Sequence, residues 1–170
     1  MKEHLFNRKT LRLRNYDYNS LGLYFITICV NDRKQILSNI VEPVGVGAHD
    51  DPKIILTDIG KIVEKYLVSS EKISVVTVDS YVIMPDHIHA ILFLNPSEYK
   101  SYNGSSKAPT PTNAMLPHVV SAFKRFCSKE IGENIFQRGY MEHIIRNKED
   151  YEEHTKYIYD NLTKWYYGRK

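Results

Sequence analysis

Two histidines, His87 and His89, stand one residue apart in the stretch YVIMPDHIHAILFL, whose other residues are typical of a buried strand. Side chains alternate between the two faces of a strand, so both imidazoles lie on one face, together with Ile91 and Phe93. Two imidazoles side by side can bind one divalent metal ion. Taken alone, the triplet favours a structural pair in which each histidine is hydrogen-bonded to a neighbour. A metal site therefore needs further ligands from elsewhere in the chain.

A polar stripe near the C-terminal end of the sequence offers such ligands. Its members recur at spacings of four, three and four residues and share one face of a predicted helix; they are Asp150, His154, Tyr157 and Asn161. An adjacent apolar stripe supplies the packing contacts of that helix and consists of Tyr151, Ile158, Leu162 and Trp165. The polar stripe then needs an explanation other than packing, although Tyr157 also fits a core aromatic residue whose hydroxyl reaches a buried partner.

The elements that must position these side chains alternate between strands and helices. Runs rich in aromatic and β-branched residues predict strands over residues 23–30, 74–78, 81–94 and 142–146, with breaks at 79–80 and 85–86. Apolar residues at helical spacing predict helices over residues 57–67, 116–131 and 147 to about 162. This order predicts an α+β fold in which helices cover a largely antiparallel sheet.

Two of the predicted helices begin with residues that suit an N-cap, Thr57 in the first and Asn147 in the last. In the second helix the apolar residues at helical spacing predict a buried inner side, which consists of Val119, Val120, Phe123, Phe126 and Cys127. The outer side of that helix is basic.

A chain of 170 residues is long enough for one domain with a real core and too short for two of ordinary size, so residues 1–170 are predicted to form one domain. A basic arm occupies about residues 1–20. A segment at about residues 95–113 holds three prolines among serine, asparagine and glycine and predicts a surface loop.

The cysteines and the hydropathy of the sequence indicate the cellular compartment of the protein. Cys29 and Cys127 are isolated, which argues against a closed structural zinc site and against a disulfide framework. Isolated cysteines fit a reducing compartment, so we expect a cytoplasmic protein. The first residues, MKEHLFNRKT, lack the apolar core of a signal peptide, and no apolar run approaches the roughly 20 residues of a membrane span. We therefore expect no membrane insertion.

Three segments, YVIMPDHIHAIL, FQRGYMEHIIRNKEDYEEH and TKYIYDN, resemble the single-tyrosine HUH transposases, in particular those associated with repetitive extragenic palindromes. The N-terminal segments LRLRNYDYNSLGLYFITICVNDRKQIL and ILTDIGKIVEKYL are similar to the same group. The resemblance covers most of the chain and implies the HUH endonuclease architecture, a ferredoxin-like or RRM-like antiparallel sheet covered by helices. The loop at about residues 95–113 has no counterpart in the family's pattern.

The resemblance also implies roles for the site residues. His87 and His89 match the histidine pair of the HUH motif, Tyr157 matches the nucleophile, and Asn161 matches the third metal ligand. The metal is expected to be Mg²⁺ or Mn²⁺. The implied activity is metal-dependent cleavage and rejoining of single-stranded DNA through a covalent 5′-phosphotyrosine intermediate. The tyrosine needs help to ionise, for which the candidates are His154, Lys156 and Lys164.

The expected partner is single-stranded or hairpin DNA, because exposed bases can stack on some of the thirteen tyrosines. The net charge of +3 is too small to indicate a nucleic-acid partner by itself, so the position of the cations matters. The candidate DNA contacts are Arg8, Lys9, Arg12, Arg14, Lys124, Arg125, Arg138 and Arg146.

Several alternatives stay open at the level of sequence. A non-catalytic module that binds single-stranded nucleic acid has a similar fold, and a domesticated descendant would keep the same residues. Replication initiators and relaxases use HUH chemistry too, with additional regions. The protein is either a monomer, as the palindrome-associated type resembles, or a homodimer that exchanges its tyrosine helices.

Overall fold

Six strands and three helices form the regular structure of the described residues, which are 22–41, 52–69, 76–95 and 115–168 of the computed structural model. The strands are β1 Gly22–Cys29, β2 Ser38–Val41, β3 Lys53–Leu56, β4 Val76–Ile83, β5 His87–Leu94 and β6 Met141–Ile145. The helices are α1 Asp58–Ser69, α2 Met115–Ile131 and α3 Lys148–Tyr167. Within these ranges, no helix is both long and apolar enough to cross a membrane. The predicted basic arm, and all of the predicted surface loop except Asn95, lie outside the described residues.

The main sheet has the strand order β4-β5-β1-β6, and every neighbouring pair is antiparallel. This architecture confirms the predicted α+β class with an antiparallel sheet covered by helices. Strands β2 and β3 pair with each other in a separate two-stranded sheet. Sequence reasoning missed them because each is only four residues long, which is too short to show a clear alternation of apolar and polar side chains.

The predicted break at residues 79–80 is wrong, because β4 continues through it. The pairing with β5 shifts between Val78 and Ser80, so Asp79 is the extra residue of a β-bulge. Its carboxylate accepts a hydrogen bond of 2.9 Å from the Tyr151 hydroxyl on α3. The predicted break at residues 85–86 is confirmed as the turn between β4 and β5. A polar pair thus interrupts the pairing register without ending the strand.

The two faces of the sheet bury different sets of side chains. Even-numbered residues of β1 and β5 join the main core together with apolar residues of α1 and α2; they are Tyr24, Ile26, Ile28, Ile88, Ala90, Leu92 and Leu94. The odd-numbered residues lie beneath α3, where Ile91, Ile145 and Ile158 form a second, small apolar cluster. The predicted separation of His87 and His89 from Ile88 and Ala90 is therefore confirmed.

One residue of the predicted inner side of α2 is placed wrongly. Phe126 is 41% exposed, while Val119, Val120, Phe123 and Cys127 are buried as expected. Its ring stacks on Tyr66 of α1 with the ring centroids 5.8 Å apart. Position 126 lies at the edge of the apolar face of α2. There the Tyr66 ring covers one side of Phe126, and the rest of the side chain stays exposed to solvent.

Both predicted N-caps are confirmed by hydrogen bonds. The Thr57 hydroxyl accepts from the Gly60 amide at 3.0 Å, and the Asn147 side chain accepts from the Asp150 amide at 2.8 Å. These bonds satisfy amides that have no partner within the first helical turn. Helix α3 continues to Tyr167, beyond its predicted end near Leu162.

Gly60 brings the start of α1 into close contact with the segment that precedes β2. A Cβ atom at this position would lie only 1.9 Å from the Leu37 carbonyl oxygen. That carbonyl also accepts hydrogen bonds from the amide and the hydroxyl of Thr57, at 3.0 and 3.1 Å. Glycine is required here because the carbonyl cannot move away without losing both bonds.

We expect Gly60→Ala to lower the free energy of unfolding by about 1–3 kcal/mol, since overpacking outweighs the better helix propensity of alanine. Gly139→Ala is the matched control, because a Cβ there would have no heavy atom within 4 Å, and we expect a change within about 0.5 kcal/mol. Urea unfolding followed by circular dichroism measures both. Equal stabilities of the two variants would contradict the close contact at Gly60.

Candidate active site

The two histidines of β5 lie side by side under α3. Their ring centroids are 4.5 Å apart with an interplanar angle of 75°. His87 is 6% and His89 is 5% exposed, so both imidazoles are buried. The alternation of β5 places them on one face, as predicted, and the strand begins with His87 directly after the β4-β5 turn. The pair therefore occupies the end of a central strand, beneath the helix that carries the polar stripe.

Each histidine uses its Nδ1 atom to contact a neighbouring side chain. The Nδ1 atom of His87 lies 2.5 Å from an Asp86 carboxylate oxygen, and that of His89 lies 2.8 Å from the Thr27 hydroxyl. Thr27 comes from β1, directly opposite His89 in the strand pairing. Such partners hold an imidazole in one orientation and direct its Nε2 atom to a ligand, as in metal sites.

The Nε2 atom of His89 is buried and has no hydrogen-bond partner among the described residues. An unsatisfied buried polar atom of this kind costs about 1–3 kcal/mol, so its retention calls for a function. Burial, assisted by the neighbouring charges of His87 and Arg33, lowers the pKa of His89 to about 3. His89 is therefore neutral at physiological pH, which is the form that binds a metal ion.

A strained turn brings a cation to the histidine pair. Asp32 and Arg33 both have φ of 54°, the left-handed region that non-glycine residues rarely adopt. This turn places Arg33 Nε 3.7 Å from an Asp86 carboxylate oxygen and lets its guanidinium donate to Cys29 Sγ at 3.1 Å. The arginine thus faces the carboxylate that orients His87. Sequence reasoning missed both Arg33 and Asp86, because neither belongs to a repeating pattern.

Tyr157 of α3 contacts His89 of the histidine pair directly. Its ring centroid lies 5.1 Å from that of His89, edge to face. The next residue, Ile158, is buried in the small apolar cluster and holds the helix on the sheet, whereas Tyr157 itself is 40% exposed. The Lys164 ammonium lies 5.3 Å from the centre of the Tyr157 ring. A partly exposed phenol therefore stands between the buried imidazoles and a cation.

Phe25 is the central contact of the site, and sequence reasoning did not single it out. Its ring stacks on His89 at 5.3 Å and 19°, and meets the edge of Tyr157 at 5.9 Å. On its other side it contacts His154 at 4.7 Å. A phenylalanine in a buried strand gives no functional signal in the sequence. The pairing of β1 with β5 brings it to His89, and the way α3 crosses the sheet brings it to His154 and Tyr157.

Two further residues of α3 follow Tyr157 on the side of the histidines. Asn161, one turn later, is 7% exposed although it is polar. Trp165, another turn later, lies 5.6 Å from the His87 ring. Trp165 was predicted to belong to the apolar stripe that holds the helix down, and the structure also gives it a contact with the histidine pair. Tyr157, Asn161 and Trp165 together line the side of α3 that faces the site.

The first half of the polar stripe forms a separate cluster with a residue of β6. We name His143, Asp150 and His154 the β6-α3 cluster. His143 Nε2 lies 2.9 and 3.1 Å from the two Asp150 carboxylate oxygens, and the rings of His143 and His154 stack at 4.4 Å. His154 is thus engaged with Asp150 rather than with Tyr157. Although burial opposes it, hydrogen bonds from the Arg146 amide and His143, with the histidine charges, lower the pKa of Asp150.

Those candidate DNA contacts that belong to the described residues do not converge on one surface. Arg138 lies at the histidine end of the sheet, since the neighbouring Gln137 amide donates to the Cys29 carbonyl at 2.9 Å. Arg146 lies at the opposite end of β6, where Ile145 pairs with Leu23. Arg125 is exposed on α2, across the sheet from α3. The four cations of the basic arm, Arg8, Lys9, Arg12 and Arg14, lie outside the described residues.

Lys124 has a structural role whatever else it contacts. Its ammonium donates to the carbonyls of Gln137 and Gly139 at 2.9 and 2.8 Å, so it ties α2 to the segment before β6. Burial lowers the pKa of Lys124 to about 8. A role in DNA binding stays a prediction for this residue.

Three curated relatives are similar to this chain, and no family model matches it. An uncharacterized protein of Haemophilus influenzae is 28% identical over 95% of this chain and 91% of the relative. A second protein of H. influenzae, named "Putative REP-associated tyrosine transposase", is 30% identical over 89% of this chain and 77% of the relative. A REP-associated tyrosine transposase of Escherichia coli is 28% identical over 51% of this chain and 44% of the relative.

A solved structure has the same fold. It is the structure of a REP-associated tyrosine transposase bound to a REP hairpin, with a TM-score of 0.60 and 22% identity. The match covers 90% of this chain and 73% of that one. The likeness supports the order of strands and helices described above.

We expect Thr27→Val to lower the free energy of unfolding by about 1–3 kcal/mol, because it leaves the Nδ1 atom of His89 buried without a partner. Thr27→Ser keeps a hydroxyl and is the control, with the smaller loss that one methyl group causes. Guanidinium unfolding compares the variants. A Thr27→Val protein as stable as Thr27→Ser would show that the hydroxyl does not hold His89.

Proposed function

The chain belongs to the family of REP-associated tyrosine transposases, and on this premise we propose that it cleaves and rejoins single-stranded DNA through Tyr157. The observation that carries the proposal is the contact between Tyr157 and His89, whose rings lie 5.1 Å apart. In this contact a partly exposed phenol lies against one of two buried imidazoles whose rings are oriented by neighbouring side chains. A protein that only bound DNA would gain nothing from burying an unsatisfied imidazole nitrogen beside a tyrosine.

His87, His89 and Asn161 would hold a divalent ion, Mg²⁺ or Mn²⁺. The unsatisfied Nε2 atom of His89 supports this assignment, as do the Nδ1 contacts that keep both rings in place. Asn161 supplies an amide oxygen on a buried turn of α3. When bound, such an ion supplies Lewis acidity that withdraws charge from a scissile phosphate. Asp86 and Thr27 then act as positioning residues, because they fix the rings and are themselves buried.

Tyr157 performs the covalent step. Its hydroxyl oxygen forms a bond to phosphorus while the bond from phosphorus to the 3′ oxygen breaks, which yields a 5′-phosphotyrosine and a free 3′-hydroxyl. The phenol proton leaves during attack, and the 3′ oxygen gains one. The Lys164 ammonium near the ring favours the developing negative charge on the phenol oxygen. Attack by a 3′-hydroxyl on the phosphotyrosine reverses the step and rejoins a strand.

The proposed substrate is single-stranded or hairpin DNA. The solved relative is bound to a REP hairpin, and in this chain the 40% exposure of Tyr157 leaves its ring accessible to a strand. Of the described candidate DNA contacts, Arg138, at the histidine end of the sheet, is the one best placed to contact phosphates near the site. Single-stranded substrates suit this arrangement because their exposed bases can stack on aromatic side chains.

We expect Tyr157→Phe to abolish the covalent protein-DNA adduct and to leave DNA binding within about threefold, because only a hydroxyl is removed. The assay incubates end-labelled single-stranded hairpins from the vicinity of the gene with protein and Mg²⁺ or Mn²⁺, and resolves the adduct on a denaturing gel. Binding is measured in parallel by fluorescence anisotropy.

Tyr159→Phe is the matched control, since Tyr159 lies two residues away on α3 and is 73% exposed. This variant should form the adduct at the level of the unchanged protein. An adduct that survives in Tyr157→Phe, or disappears equally in Tyr159→Phe, would rule out Tyr157 as the nucleophile. Binding without an adduct under every metal and hairpin would identify a DNA-binding protein that has lost the chemistry.

We expect His87→Ala to remove the metal dependence of adduct formation along with most of the adduct. The unchanged protein should respond to Mg²⁺ or Mn²⁺ and lose activity in EDTA, whereas the variant should give the same low signal in both conditions. Full adduct formation by His87→Ala in EDTA would refute the metal site at the histidine pair.

A further inference from the structure

We propose that the β6-α3 cluster, His143, Asp150 and His154, is a second metal site that binds Zn²⁺, separate from the histidine pair. Each residue offers one ligand atom, and the three atoms all lie within 4.8 Å of one another. Two of the ligands come from α3 and one from β6, so the ion would join the edge strand of the sheet to the helix that carries Tyr157. The proposed strand cleavage does not depend on this site.

The spacing of the ligand atoms fits a tetrahedral ion after small movements. Zinc with bonds of about 2.0–2.2 Å places neighbouring ligand atoms roughly 3.3–3.5 Å apart. Here His143 Nε2 lies 2.9 Å, and His154 Nδ1 3.1 Å, from the same Asp150 oxygen. The carboxylate therefore already lies between the two imidazole nitrogens. The ion would be admitted if these two separations opened by a few tenths of an ångström and the two nitrogens, which lie within 4.8 Å of each other, approached the same spacing.

The surrounding backbone holds the carboxylate in place. The Arg146 amide donates to the second Asp150 oxygen at 3.0 Å, and the Asn147 cap fixes the Asp150 backbone at the start of α3. The His143 side chain is 47% exposed, while those of Asp150 and His154 are 18% and 19% exposed. An ion can thus enter from the solvent side, where His143 is exposed. Asp150 and His154 are thus held in place, and His143 can adjust its position. Such a site needs little reorganisation to bind an ion.

The ligand chemistry selects zinc over magnesium. Imidazole nitrogens suit Zn²⁺ and other late first-row ions, whereas Mg²⁺ prefers a shell of oxygen ligands. Two histidines, one carboxylate and a water would complete the usual four-coordinate zinc shell. His154 Nδ1 would give up its hydrogen bond to the Asp150 carbonyl at 2.8 Å, with the ring proton on Nε2 instead. Because protons compete with the ion for the imidazole nitrogens, binding weakens as the pH falls.

The ring of Phe25 contacts a histidine of each site. Its centroid lies 4.7 Å from that of His154 and 5.3 Å from that of His89. No side chain is shared between them, so each site can be removed by substitution without changing a ligand of the other. His154 precedes Tyr157 by one helical turn, and an ion at the cluster would hold this turn of α3 against β6.

The test is calorimetric titration of the chelator-treated full-length protein with ZnCl₂, with and without an excess of Mg²⁺. We expect Zn²⁺ binding that Mg²⁺ does not displace, and that persists in His87→Ala. In His143→Ala the affinity for Zn²⁺ should fall by more than roughly 10–100-fold, which is the loss expected when a residue that only hydrogen-bonds to a metal ligand is removed. The exposed position of His143 makes this variant the safest for folding, and His154→Ala is the second.

His118→Ala is the matched control, because His118 is an exposed histidine on α2, across the sheet from the cluster. It should bind Zn²⁺ as the unchanged protein does. Unchanged affinity in His143→Ala, loss of binding only in His87→Ala, or no Zn²⁺ binding at all would each overturn the proposal. A rise in melting temperature with Zn²⁺ that is absent in His143→Ala provides an independent readout of the joined strand and helix.

Discussion

The antiparallel pairing of β1 with β5 is the interaction on which the rest of the site depends. Its register sets Thr27 opposite His89 and Phe25 opposite Ile91. A slip of one residue would turn every side chain of β5 to the other face and bury the histidines in the main core. The complete burial of Ile88 and Ala90 in that core prevents such a slip. The orientation of the candidate active site is thus a consequence of apolar packing on the opposite side of the sheet.

One face of the sheet carries most of the stabilising apolar core, and the other face carries the candidate active site. The main core, between the sheet and helices α1 and α2, contains most of the buried apolar residues. The face beneath α3 has only a small apolar cluster around Ile91, Ile145 and Ile158. Polar groups can therefore occupy the remaining area of that face without weakening the principal core. Helix α3 is additionally attached at its N-terminal half by Tyr151, which reaches the Asp79 bulge.

Burial decides the protonation of His89. A neutral imidazole with its Nδ1 atom already engaged has one remaining nitrogen, and in His89 that atom has no partner among the described residues. Burial also distinguishes the histidine pair from the β6-α3 cluster. His89 is enclosed and kept neutral by its surroundings, whereas His143 is partly exposed and paired with a carboxylate. Two imidazole-rich clusters on one face thus differ in burial and in the partners of their nitrogens.

Local patterns in the sequence were sufficient for several conclusions. The alternation of β5 placed His87 and His89 on one face, and helical spacing placed Tyr157 and Asn161 together. Both N-caps followed from residue type and position. These features depend on contacts within a few residues, which a period or a capping residue reports directly.

Tertiary structure decided which side chains complete the site. Thr27 and His89 are 62 residues apart in the chain, and only the strand register brings them together. Phe25 and His143 carry no local signal for the same reason, since their contacts with α3 depend on how the helix crosses the sheet. Bulges and hairpins of a few residues were also missed or misread, because a pattern needs length to be recognised. The candidate ligands His87, His89 and Asn161 can be found from short spacings in the sequence. The residues that orient or contact them, such as Thr27, come from strands far apart in the chain, and only the folded sheet brings them together.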